Sequence, residues 1–180
     1  MLSSQFIASI FLILFTCVAS VDGIYFHLYK YRLFARKESL KEHHYHTINS
    51  FLFPITVVFL FVINSAGFLL WLSVLLTIVT LVVEFLDVFE ERSSRKNLGG
   101  LTSLEYSMHF AMSGIRATYT TLILAHKPFL AWSLWGSWFL VTAHEALFLK
   151  IIGLSVAILG VPVFILHYYL GRNCERRQCS

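Results

Sequence analysis

The strongest constraint on this chain is its succession of long apolar runs separated by short charged segments. A helix that crosses the hydrocarbon core of a bilayer needs about 20 largely apolar residues. Runs of that kind lie at Leu2–Tyr29, from Ser39 to about Asn64, from Phe68 to about Glu91, from Thr102 to about His126, and within Ala143–Leu170. The runs are continuous rather than alternating, which excludes a transmembrane β-barrel. Of the 180 residues 57% are hydrophobic and 13% charged, against about 25% charged in soluble domains. A chain of this size has too much surface to hide so much apolar side chain on its own, so soluble, disordered and disulfide-scaffold classes are excluded. The expected fold is an all-α integral membrane protein with about five transmembrane helices in a single domain.

Local signals divide that domain. Residues 1–64 read as a first helical hairpin, 65–128 as a second, 129–170 as an interfacial Trp segment plus a last span, and 171–180 as a basic tail. Ser39-Leu40-Lys41-Glu42 and Thr102-Ser103-Leu104-Glu105 both have the form of a capping box, which starts a helix. Trp132, Trp135 and Trp138 recur every third residue, a rhythm suited to the bilayer interface, with the depth of Phe129–Thr142 left open. Val18-Ala19-Ser20 offers small residues after an apolar core, as a signal peptide does. Yet no Lys or Arg precedes that core and many follow it, so an uncleaved anchor is expected.

Of 14 Lys and Arg, only Arg116, Lys127 and Lys150 fall outside the first loop, the third loop and the tail. Five spans put those three segments on one side. The positive-inside rule makes that side cytoplasmic, with the N-terminus outside and the C-terminus inside. Anionic lipid is then partner enough for the basic balance, and nucleic acid is not needed. Cys17, Cys174 and Cys179 form no framework and no CxxC; the tail pair is compatible with palmitoylation or with no role.

An ionisable residue inside a span is costly and marks function by default. Such residues crowd the cytoplasmic half of four successive helices: Asp22 and His27, then Glu42, His43 and His46, then Glu84, Asp87 and Glu91, then Glu105 and His109. Glu42 and His46 are four apart, as are Glu105 and His109, so each pair shares a helix face. Asp22 precedes Glu42 much as Asp87 precedes Glu105. Each half thus reads as carboxylate, charged turn, capping box and Glu-x-x-x-His, a weak internal repeat. Helices 1–4 are therefore expected to form an antiparallel four-helix bundle from two similar hairpins.

Ser73, Thr77, Thr80, Glu84, Asp87 and Glu91 fall on one stripe of the third helix, and Glu105, His109, Met112, Arg116 and Thr120 on one stripe of the fourth. With α-helical spacing Asp22 and His27 point in different directions, so one is expected as a ligand and the other as its outer partner. Arg116 is too deep to snorkel easily; it either holds a substrate group or balances the charge of Glu84. Glu90, at the interface, is expected to be solvated and to face Arg92 or the basic loop. His44 is read as exposed. His126, His144 and Glu145 are interfacial on the far side, and His167 is a candidate for an outer role.

Carboxylates with imidazoles and no thiolate suit iron, manganese or zinc. The ligands exceed what one metal needs, and two metal ions, with iron favoured, fit better. This layout resembles the di-iron carboxylate helix bundles of the ferritin-like and alternative-oxidase group, in which two helices give a Glu and two others a Glu-x-x-His. Here the spacing is Glu-x-x-x-His and one carboxylate is Asp. Through His43, His44 and His46 the chain also resembles the membrane fatty-acid hydroxylases and desaturases, without their HxxxH and HxxHH boxes.

The first reading is a membrane-embedded di-iron oxidoreductase with Asp22, His27, Glu42, His43, His46, Glu84, Asp87, Glu91, Glu105 and His109 as candidate metal ligands. Its substrate would be lipophilic, and the oxidase chemistry would call for a separate electron donor. The alternatives are a zinc-dependent lipid hydrolase, a divalent metal or proton transporter, and a b-type haem protein with His46 and His109 as axial ligands. The topology predicts that a cysteine replacing Lys37, in a chain with its three native cysteines changed to serine, is labelled in inside-out vesicles and not in intact cells; the reverse would invert the orientation.

Overall fold

The computed structural model describes residues 3–140 and 147–177. Five long helices account for most of them. Helix α1 is Ser4–Ser20 and continues without a break as a π-helix over Val21–Lys30. Helix α2 is Leu40–Val57, continued by a π-helical Val58–Val62. Helix α3 is Gly67–Ser94, α4 is Ser103–Ala125 and α5 is Leu147–Arg177. No strand occurs among the described residues, only an isolated bridge between Ser65 and Phe139.

Four segments, 4–35, 40–62, 67–94 and 147–174, are long and apolar enough to cross a membrane. Helix α4 is not among the four. Its 23 residues give it about 34 Å of length, but Glu105, His109, Arg116 and several hydroxyls on it lower its hydropathy. Large side chains such as Phe85, Phe89 and Phe110, exposed by 64%, 67% and 80%, face away from the bundle, where lipid rather than water is the natural solvent.

The helix starts differ in kind. The Ser3 hydroxyl accepts from the Phe6 amide and caps α1. The capping box expected at α4 is present, with Thr102 and Glu105 each bonded to the other's backbone. The one expected at α2 is not. The Ser39 hydroxyl turns back and donates to the Leu33 carbonyl at 2.8 Å, and no side chain caps this helix. Glu42 is drawn away by a stronger partner in the protein interior.

Helix α1 packs against α4 and α5, while α2 packs against α3 and α5. The fifth helix therefore stands between the first and second and is part of the bundle. A core of Leu12, Phe15, Val57, Phe61, Tyr119, Ile123 and Val156 fills the half away from the ionisable residues. Contact between α5 and α2 is close enough to need glycine. A Cβ on Gly153 would lie 2.5 Å from Phe61 Cβ, and one on Gly160 would lie 2.6 Å from Pro54 Cγ. Small residues at such crossings let van der Waals packing hold helices where no hydrophobic drive exists.

The Trp segment does not make a spanning helix. It forms a short 3-10 turn at Phe129–Trp132 and then an irregular stretch to 140 that seals the end of the bundle. Trp71 Nε1 donates to the Trp132 carbonyl at 3.1 Å, and the Ala66 amide donates to Trp138 at 2.8 Å. Gly67 has φ 53°, and a Cβ there would fall 2.9 Å from the Ser137 carbonyl oxygen. Lys127 donates to Asn64 Oδ1 and to the Ser65 carbonyl, each at 3.0 Å. Burial pushes its ammonium down to about 8. His126, expected on this side, is exposed and meets Ser4 Oγ at 3.1 Å. Val141, Thr142, His144, Glu145 and Cys179 lie outside the described residues.

Gly153→Val is expected to force α5 off α2 and to cost about 1–3 kcal/mol, the usual range for overpacking. A lowered thermal midpoint in detergent checks this; an unchanged midpoint would mean that the two helices are not in contact there.

Candidate metal centre

The end of the bundle away from the Trp segment gathers ionisable side chains from every long helix. Asp22, His27, Glu42, His43, Glu91, Arg95, Glu105 and His167 are each exposed by 2% or less, and Asp87 by 5%. The stripes expected on α3 and α4 do face inward: Ser73, Thr77, Thr80, Asp87 and Glu91 are buried, and so are Glu105, Arg116 and Thr120.

Helix α1 departs from the sequence expectation for a geometric reason. In an α-helix residues five apart point about 140° from each other. In a π-helix, whose bonds run from i to i+5, they stack on one face. Asp22 and His27 lie in the π-helical stretch. Their side chains consequently both reach the interior, with His27 Nε2 3.6 Å from Asp22 Oδ1.

Six of the expected residues converge directly, and Glu42 reaches the same cluster from one side. His109 bridges two carboxylates, with Nε2 3.1 Å from Asp22 Oδ1 and Nδ1 2.9 Å from Glu91 Oε1. His46 Nε2 lies 3.0 Å from Asp87 Oδ2. The His27 and His46 rings meet edge to face with centroids 3.8 Å apart. Potential ligand atoms of Asp22, His27 and His46 all lie within 4.8 Å of one another, and so do those of Glu42, His46 and Glu91. Both ring nitrogens of His27, Asp87 Oδ1 and Glu91 Oε2 are buried without a hydrogen bond. Such atoms are costly unless something pairs with them. A cation at their focus is the chemistry that imidazole and carboxylate share.

The other expected residues stand around this core. Glu42 and Glu105 do meet, but on a residue that the sequence hid. The sequence places Arg95 among the charges of the third loop, yet it is fully buried. Its Nε and Nη2 reach Glu42 Oε1 at 3.2 and 3.0 Å, and its Nη1 reaches Glu105 Oε1 at 3.2 Å. Tyr31 lies under the guanidinium, 4.2 Å from ring centroid to Cζ, and donates its hydroxyl to Glu105 Oε2 at 2.9 Å. The Ser94 hydroxyl donates to Glu42 Oε2. No spacing rule marks Arg95, because its depth depends on α3 running on to Ser94, one turn past the last apolar stretch.

His43 turns toward α5. Its Nε2 donates to the His167 carbonyl at 2.9 Å, and its ring stacks on the His167 ring with centroids 5.2 Å apart. Glu84 stands deeper, 3.0 Å from Arg116 Nη1, and accepts from Ser113 at 2.7 Å. Glu90 pairs with Lys41 of α2 at 2.5 Å rather than with Arg92 or the loop. His44 is half-buried rather than exposed.

A cavity of about 340 Å³ lies beneath the cluster and is lined by all five helices. One end is closed by Asp22, His46, Asp87, Glu91 and His109. The walls and far end are Phe15, Ala19, Phe53, Met112, Val156 and Leu159, with Glu84 and Arg116. The site therefore presents charged, potentially metal-binding groups to an apolar chamber.

No family model, curated protein or solved structure matches the chain.

Breaking one side of the Arg95 bridge leaves buried carboxylates without a counter-charge. Arg95→Leu is expected to destabilise the protein by about 3–5 kcal/mol. Adding Glu42→Gln and Glu105→Gln is expected to recover part of that loss in thermal melts. A triple variant less stable than the single one would show that the two carboxylates do not depend on Arg95.

Proposed function

We propose that this chain is a membrane-embedded metal-dependent enzyme, a di-iron oxidoreductase acting on a lipophilic substrate near the cytoplasmic face. Charge is the observation that carries the reading. Asp22, Glu42, Glu84, Asp87, Glu91 and Glu105 bring six carboxylates into one interior, and among the described residues Arg95 and Arg116 are the guanidinium groups paired with them. Four negative charges then remain, and two divalent cations would match them. A low-dielectric interior makes such a match worth far more than it is in water.

The ligands would be Asp22, His27, His46, Asp87, Glu91 and His109, three imidazoles and three carboxylates. Glu42 and Glu105, held by Arg95, would keep the α2, α3 and α4 ends in register around them. Iron in such a site supplies oxygen activation and one-electron steps. The chain's own part is to fix the ligand geometry, exclude bulk water and hold the substrate against the centre. Reducing equivalents would come from a separate electron donor. The arrangement fits five spans, with α1 packed between α4 and α5 and α2 between α3 and α5. Lys30, Arg32, Arg36, Lys37, Arg92 and Arg172 near the same end support a cytoplasmic placement.

The other readings fare less well. A transport path would need polar groups leading on from the cluster. The hydroxyls of Ser73, Thr77 and Thr80 are instead bonded back to carbonyls of their own helix at 2.6, 2.8 and 2.7 Å. Haem between His46 and His109 would need an open plane, but the His27 ring fills it, 3.8 Å from His46 and 6.2 Å from His109. Zinc in the same ligands would favour lipid hydrolysis, and the metal's identity separates that case.

Protein purified in mild detergent is expected to contain two irons per chain by elemental mass spectrometry. His46→Ala and Glu91→Gln are expected to lose most of the metal while keeping their helical circular dichroism. Absence of metal, or content unchanged in both variants, would overturn the reading; zinc in place of iron would redirect it to hydrolysis.

A further inference from the structure

The chamber holds a second polar layer that the proposed metal centre does not use. His109 and Glu91 form the upper layer, 2.9 Å apart, and Arg116 and Glu84 form the lower one, 3.0 Å apart. On both helices the layers are seven residues apart, which is about 10 Å along the axis. Arg116 is 7% exposed and lies on the cavity wall, its guanidinium 4.7 Å from the Phe15 ring centroid. Its Nε is buried with no hydrogen-bond partner. Asn49, one turn from His46 on the same wall, has a buried Oδ1 that likewise lacks one.

A buried N–H donor without a partner on the wall of an apolar chamber asks for an acceptor. The charge already present decides which kind. Glu84 neutralises Arg116, so the lower layer is a closed ion pair. An ionised carboxylate or phosphate placed there would add a net negative charge to a low-dielectric site, at a cost of several kcal/mol. A carbonyl or hydroxyl oxygen adds none and satisfies the donor.

We infer that the cavity binds a neutral oxygenated lipid, a ketone, ester, aldehyde or alcohol, whose oxygen sits on Arg116. The apolar part of the lipid then lies between that oxygen and the His109–Glu91 layer. Fatty-acid anions are selected against by Glu84. The identity of the reacting end rests on the metal-centre reading; the preference at Arg116 does not.

The test is calorimetric titration of 2-decanone, decanoate and decane into the full-length protein in nanodiscs of zwitterionic lipid at pH 8. The wild type is expected to bind 2-decanone at least tenfold more tightly than decanoate. Glu84→Gln leaves Arg116 unpaired and is expected to reverse that order, a gain that a misfolded variant cannot produce. Arg116→Gln is expected to bring 2-decanone down to the affinity of decane. Preference of the wild type for decanoate, an unchanged order in Glu84→Gln, or no binding of any probe would overturn the inference. Metal content measured on the same samples separates the two readings: lipid order kept without metal sinks only the metal centre.

Discussion

Arg95 has no solvent and two carboxylates, one from α2 and one from α4, with a tyrosine ring from the end of α1 beneath it. A guanidinium can satisfy this because its planar fork offers several donors at fixed angles and it remains charged at any accessible pH. The bridge ties the ends of four chain segments together at the depth where the ligand-type side chains lie. Without it Glu42 and Glu105 would each be buried anions, and desolvation would drive these ends apart. The geometry of the remaining six carboxylates and imidazoles is therefore secondary to this contact.

The second organising element is a change of helical period. The π-helical stretch Val21–Lys30 turns a five-residue spacing into a shared face. Asp22 and His27 gain access to the same point in space, and α1 supplies two groups where an α-helix of the same sequence would supply one. Such stretches lose packing efficiency and persist where a site repays them. Below this layer the same bundle is largely apolar, and the chamber there carries the ion pair of Arg116 and Glu84 on its wall.

Much of this was legible in the sequence because membrane residence leaves few choices. Apolar runs must be helices, since only helices satisfy every backbone group within one segment. Costly ionisable residues must face inward, so the sequence alone groups Asp22, Glu42, His46, Asp87, Glu91, Glu105 and His109. The polar stripe from Ser73 to Glu91 gave the buried face of α3 directly from its spacing. The capping box at Thr102 was local chemistry and held. The similar pattern at Ser39 did not, because Arg95 offered Glu42 a charged partner worth more than a backbone amide.

The sequence by itself determined the class, the helices and the inward faces, since each follows from local periodicity and from the cost of polar groups in hydrocarbon. Tertiary structure alone decided which carboxylates meet a guanidinium and which meet imidazoles. It also placed α5 between α1 and α2, left the Trp segment as a cap, and opened a chamber under the cluster. Those outcomes depend on contacts between residues as far apart as Glu42 and Arg95 or His43 and His167. No periodicity within one helix encodes them, because they arise only when several helices compete to neutralise the same buried charges.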